Sequence, residues 1–156
     1  MVQTTHEVRW RESSLLEERQ RRSRALNIFV PRVKEQLQPT CIILFGSTAT
    51  GLDRLESDLD VVIIGGHLPA RQFDRLDLLG HLALGISVSI DAFAYTEEEF
   101  ERMLDQFHVT ALDALYQGRP LYGEEYFARL HQKLEQLLAQ GLRRSAIAWT
   151  VPSPLL

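Results

Sequence analysis

The segment LFGSTATGLDRLESDLDVVII, residues 44–64, holds the residues of this chain best suited to chemistry. Asp58 and Asp60 stand two apart at the head of the apolar run Leu59-Asp60-Val61-Val62-Ile63-Ile64. On a strand, positions i and i+2 point to one face, and neighbouring carboxylates repel unless a cation sits between them. Two readings follow. The pair caps a turn, as Asp and Ser often do, or it holds something positive. Hard carboxylate oxygens suit Mg²⁺, which keeps several waters and readily shares its shell with phosphate oxygens. Upstream, Gly46-Ser47 ends another apolar run. Glycine there lets backbone approach a ligand closely, and free N–H groups with a serine hydroxyl beside them suit a phosphate. No Walker-type G-x-x-x-x-G-K-[ST] occurs. A third acid, Asp91, sits on the polar side of an alternating stretch, with Ser87, Ser89 and Phe93. If that stretch pairs beside residues 59–64, Asp91 projects toward the same cleft. Three carboxylates could then hold two metals, one activating an attacking hydroxyl and one clamping a triphosphate and its leaving pyrophosphate. Asp91 could also take the hydroxyl's proton as general base.

The elements that must position these residues follow from periodicity. Residues 13–37 read as a helix capped by Ser13 or Ser14, with Glu17 completing the cap and Pro31 kinking or restarting it. The cluster Arg19-Gln20-Arg21-Arg22-Ser23-Arg24 reads as a solvated face of that helix, or else as a contact for an acidic or phosphate partner. Strands are predicted over 40–46, 59–64 and 86–94, with Gly65-Gly66 as a turn. Helices are predicted over 70–84, from Thr96 onward with Glu99 closing a capping box, over 108–117, and over 124–140 with Tyr126, Phe127, Leu130, Leu134, Leu137 and Leu138 as a core stripe. Pro120-Leu121-Tyr122 reads as a short extended piece, and the tail from Trp149, with Pro152 and Pro154, as loose. Alternating strands and helices give an α/β (α+β) class. The expected division is a helical segment over 1–38, a core over 39–123, and a C-terminal helix and tail over 124–156, together one compact domain.

Composition narrows the rest. The chain has 156 residues, 45% of them hydrophobic, and a net charge of −4, which argues against a surface that coats nucleic acid. Cys41 is the only cysteine, so no intrachain disulfide can form; it fits a buried apolar role and a reducing cytoplasm. No apolar run is long enough for a membrane span, and the N-terminus lacks an apolar signal core. His6, His67, His81, His108 and His131 show no metal-binding spacing, and no G-x-S-x-G elbow is present.

On Gly46, Ser47, Ala49, Gly51, Ser57, Asp58, Asp60 and Asp91, the chain resembles the polymerase-β-type nucleotidyltransferase superfamily, and within it the minimal nucleotidyltransferases. The segment Gln117-Gly118-Arg119-Pro120-Leu121-Tyr122 resembles the piece that often closes that domain. The resemblance implies a small mixed β-sheet with helices packed mainly on one face. It implies transfer of a nucleoside monophosphate, commonly AMP from ATP, to an acceptor hydroxyl, with Mg²⁺ bound at Asp58, Asp60 and Asp91 and the nucleotide's phosphates at Gly46 and Ser47. It also implies a partner, since minimal members are often paired with a small helical HEPN toxin that they adenylylate or bind. The chain departs from the pattern at Thr48 and Thr50, where many members carry arginine; Arg54 is the candidate substitute. Two alternatives stand beside this reading: a non-catalytic antitoxin or interaction module that binds a helical partner, and an aminoglycoside nucleotidyltransferase, for which residues 124–156 are short as an acceptor-binding domain.

Overall fold

A computed structural model describes residues 2–153, with side chains from residue 5. The chain runs α1 (Val2–Leu37), β1 (Cys41–Phe45), α2 (Ser47–Thr50), β2 (Leu59–Ile64), α3 (Gln72–Leu82), β3 (Ile90–Tyr95), α4 (Glu97–Asp105), α5 (Val109–Gln117), β4 (Arg119–Tyr122), α6 (Glu124–Ala139), β5 (Arg143–Arg144) and β6 (Trp149–Thr150). The four longer strands form one mixed sheet in the order β3-β2-β1-β4. β1 is antiparallel to both β2 and β4, and β2 is parallel to β3. The class is therefore the expected mixed α/β one.

Strand alternation splits the core in two. Ile42, Leu44, Leu59, Val61, Ile63, Ala92 and Ala94 face α1 and α3, where they pack on Phe29, Val33, Leu37 and Leu79. Cys41, Ile43, Val62 and Ile64 face the other way, against Phe100 and Leu104 of α4, Leu112 and Leu115 of α5, and Leu130 and Leu134 of α6. The central strands β1 and β2 are hydrophobic on both sides because both sides are covered. Helices thus pack on both faces of the sheet, not mainly on one. The α6 stripe is core, as its spacing predicts. Burial pushes the Cys41 thiol up to about 12, which leaves it an unreactive core residue.

Four local expectations change. α1 begins at Val2, so Ser13 and Ser14 lie inside the helix and do not cap it. It runs through Pro31 without restarting, over roughly 54 Å at 1.5 Å per residue. The third strand begins at Ile90, not at residue 86. The reason lies in α1: Arg21 donates to the Ser87 carbonyl at 2.7 Å, and Arg32 donates to the carbonyls of Leu82 and Leu84 at 3.0 and 2.8 Å. Those guanidinium groups hold residues 83–87 as a loop after α3. Finally, β6 pairs with β5, and the Trp149 indole N–H donates to Asp113 Oδ1 at 2.8 Å. The tail is tied down there; its last three residues, Pro154 among them, lie outside the described residues.

The Thr96–Glu99 capping box forms as expected. Glu99 also accepts from Arg75 Nη1 at 2.6 Å, a buried guanidinium that fixes α3 against α4. Among the described residues, no helix is long and apolar enough to cross a membrane.

Phe29 is fully buried between α1 and the sheet. Phe29→Ala is expected to cost about 3–5 kcal/mol in urea unfolding. A loss below about 1 kcal/mol would show that α1 does not depend on this packing.

Candidate active site

Strand register brings the predicted acids together. Asp60 is directly opposite Asp91 across the parallel β2–β3 pair, and Phe45 is opposite Asp60 across the antiparallel β1–β2 pair. All three point to the face bearing α4, α5 and α6, at the strand ends that those helices leave uncovered. Asp58 lies one residue ahead of β2, in the approach to the strand and not on it.

Gly46, the residue after Phe45, then turns the chain beside Asp60. Its φ of 74° is a left-handed conformation that L side chains rarely adopt. A Cβ at this position would lie 2.3 Å from Asp60 Oδ2. Glycine is thus favoured here by conformation, and any side chain would also have to displace the Asp60 carboxylate. α2 begins at the next residue, and the Ser47 hydroxyl donates to Ser57 Oγ at 3.2 Å. Ser57 Oγ also accepts from the Arg54 backbone N–H at 2.7 Å. The two serines of the sequence motif therefore join the Gly-Ser turn to the approach of the Asp-x-Asp pair.

Electrostatics set this corner apart. The Asp60 carboxyl titrates above the usual carboxylate range, first because it is partly buried, then because the charges of Asp91 and Asp58 oppose its ionisation. None of the three acids has a hydrogen bond or ion pair from a described residue. Carboxylates gathered at this density without a cationic side chain are suited to an external cation, and their donor set of hard oxygens suits Mg²⁺. The acids are grouped but not drawn onto one point: among the described residues, no three His, Cys, Asp or Glu side chains form a ready metal cage.

The sequence reasoning missed the residues that hold the loop between the two motifs. Asp53 is buried; it accepts from Arg19 Nη2 at 2.8 Å and from Arg22 Nη1 at 2.5 Å. Arg22, only 4% exposed, also donates through Nη2 to the carbonyls of Arg54 and Leu55. Part of the basic cluster on α1 is therefore a clamp on residues 53–55 and not a solvated face. The available signal was the spacing of Arg19 and Arg22, i and i+3 on one helix face, together with an acid in the loop to be held. Arg54 itself is exposed, and its guanidinium has no partner among the described residues.

Two predictions follow from these charges. Asp60's pKa is raised in the folded protein, so folding disfavours its ionised form, and this penalty is present in full at neutral pH. In metal-free protein at pH 7, Asp60→Asn is expected to raise Tm by a few degrees, with the gain fading in acid; an unchanged or lowered Tm would contradict the crowding. Asp53 has the opposite sign. The hydrogen bond from Arg19 holds its pKa below the usual range, so its contribution is present above about pH 4 and lost as pH falls through the lower folded value. Asp53→Asn is expected to flatten the acid limb of the stability–pH curve and to cost about 3 kcal/mol at neutral pH, because Arg22 is left buried without its counter-charge. Chemical denaturation at a series of pH values measures both effects.

Comparison with known proteins gives the family. The nucleotidyltransferase domain family matches residues 26–140, from the middle of α1 to the end of α6. A protein of Methanocaldococcus jannaschii, provisionally named protein adenylyltransferase MJ0604, is 36% identical over 103 residues, which cover 64% of this chain and 96% of that one. A chain from the crystal structure of a toxin-antitoxin with AMP-PNP superposes with a TM-score of 0.55 at 18% identity, over 73% of this chain and 86% of that one. A chain from a mutant of the toxin-antitoxin MntA-HpeT gives 0.53 at 16% identity over the same shares, a likeness of fold. The sheet, the Gly-Ser turn against Asp60 and the family match together place this chain in the nucleotidyltransferase domain family.

Proposed function

We propose that the protein transfers AMP from ATP to a hydroxyl group on a protein acceptor. The observation that carries this reading is the register that sets Asp60 beside Asp91, with Gly46 closed against Asp60 and no protein cation to balance the acids. The approach of backbone at Gly46 and the Ser47 hydroxyl would hold the nucleotide's phosphates. Asp58, Asp60 and Asp91 would hold Mg²⁺, which supplies charge neutralisation to the triphosphate and acidifies a hydroxyl bound to it. Asp91, exposed at the open end of the edge strand β3, would accept the acceptor's proton. The acceptor oxygen forms its bond to the α-phosphorus, and the bond from that phosphorus to the bridging oxygen breaks, so the electron pair leaves with pyrophosphate. Bound Mg²⁺ would favour the ionised form of Asp60, against the burial and the neighbouring acids that raise its pKa in the metal-free protein.

The M. jannaschii relative's name supports a protein acceptor, and the toxin-antitoxin neighbours support a toxin partner as that acceptor; that the toxin is a helical HEPN-type protein is what the family resemblance implies. A surface of this chain is consistent with such a partner. Residues 5–13 of α1 are exposed, and Val8 and Trp10 present apolar side chains there, with Trp10 62% exposed; Leu16, also exposed, follows on the same helix. The same surface would also serve a purely binding role, the second reading. Among the described residues that follow Gly123, α6 packs in the core and the two-stranded hairpin is tied to Asp113, so these elements belong to the fold around the sheet.

The test is incubation with α-labelled ATP, Mg²⁺ and candidate acceptors, a co-expressed helical partner among them. Label is expected on the acceptor and is expected to vanish with Asp58→Asn and with chelator. If Asp58→Asn labels as well as the parent, or if no nucleotide labels any acceptor while the intact complex still forms and neutralises the partner, the binding reading replaces the enzymatic one.

A further inference from the structure

The sheet face turned away from the carboxylates carries a cavity with a charged lining. Its volume is about 230 Å³, and its polar lining is Arg19, Arg22, Thr48, Asp53 and Arg119, with Ser23 at one side. Leu44 and Leu59, both on the α1 face, form part of its wall. Register explains how β4 contributes: Arg119 pairs directly with Leu44, and residues directly opposite across a ladder share a face. The cavity therefore lies between α1, α2 and β4, with the sheet between it and the three acids.

Its charges do not balance. Three guanidinium groups meet one carboxylate, and Asp53 is already shared between Arg19 and Arg22. Arg119 has no ion pair or hydrogen-bond partner among the described residues. Two further donors are stranded inside the protein. Arg22 Nε is buried without a hydrogen-bond partner although the residue is only 4% exposed, and Thr48 Oγ1 is buried and equally unpartnered. Native interiors seldom leave such groups unsatisfied. An Arg22 Nε–H can only donate and has no acceptor among the described residues, and the excess of two positive charges around the cavity favours a negative occupant.

We infer that this cavity is a binding site for a small phosphate-class oxyanion, distinct from the nucleotide site. Guanidinium forks match the oxygens of phosphate in distance and direction. Size sets the limit: pockets for drug-sized molecules run about 300–1,000 Å³, so 230 Å³ accommodates phosphate or pyrophosphate and not a whole nucleotide. The occupant would join α1 through Arg22, α2 through Thr48 and β4 through Arg119, and would thereby brace the helix that begins at Ser47. The inference stands on the cavity and does not require the transfer chemistry.

The experiment uses the full-length ¹⁵N-labelled protein with chelator present, so that no divalent ion draws phosphate to the acids, and with ionic strength held constant by NaCl. Inorganic phosphate and pyrophosphate are titrated separately, and the arginine Nε–H resonances and Tm are followed. A saturable shift of Arg22 Nε–H with a rise in Tm is expected, and the tighter of the two anions identifies the source, free phosphate or reaction product. Thr48→Val with Arg119→Gln is expected to raise half-saturation about tenfold. If that pair does not fold, Arg119→Gln alone makes the comparison, since Arg119 is exposed. The absence of saturation with either anion, or an unchanged isotherm in the variant, overturns the inference. Because it is read without nucleotide or metal, its failure is separate from any failure of AMP transfer.

Discussion

The repulsion between Asp60 and Asp91 is the constraint around which the rest of this structure is arranged. Two parallel strands place them at one register position, and Asp58 adds a third negative charge from just outside the sheet. Nothing in this arrangement serves stability; a fold selected only to persist would place an apolar or paired side chain at position 60. The arrangement is tolerated because β2 is otherwise among the best-buried strands in the molecule, with Leu59, Val61, Val62, Ile63 and Ile64 each 1% exposed or less. Two covered faces hold the strand in register, and register allows no other placement of Asp60, since a slip of one residue would turn it into the α1 core.

The second requirement is that the Gly46-Ser47 turn and the acids keep their relative positions, although residues 51–58 between them are mostly exposed. Fixing a backbone residue costs roughly 1–2 kcal/mol of conformational entropy, so such a loop stays in one conformation only when something holds it. α1 does this by donating from Arg19 and Arg22 to Asp53 and from Arg22 to two loop carbonyls. The same helix holds the loop that leads into β3 through Arg21 and Arg32. One helix thus anchors the approaches to both strands that carry Asp60 and Asp91. Its buried side packs on the sheet through Phe29, Val33 and Leu37, which makes the anchor rigid.

The parts of the fold legible in the sequence were those governed by local pattern. The buried runs at Cys41–Phe45 and Leu59–Ile64, the Thr96–Glu99 cap and the α6 stripe each follow from spacing and residue type. The pairing of Asp91 beside Asp60 was legible as a condition, because alternation put Asp91 on the polar side of its strand without saying which strand lay next to it. What escaped was set by contacts distant in sequence. Residues 86–89 alternate like a strand, yet Arg21 takes the Ser87 carbonyl that a neighbouring strand would have used. Arg19 and Arg22 looked like solvated charge because their partner, Asp53, is more than thirty residues away. Covering both faces of the sheet likewise depended on how α1 returns over β1 and β2, which no local period encodes.

Anomalous scattering from crystals grown with Mn²⁺ and a non-hydrolysable ATP analogue tests the central claim most directly. The account predicts a manganese peak within coordinating distance of Asp58 and Asp60, with Asp91 at the same cluster and the analogue's phosphates reaching it from the Gly46–Ser47 side. A bound analogue whose metal lies away from these acids, or whose phosphates do not approach that turn, would contradict it.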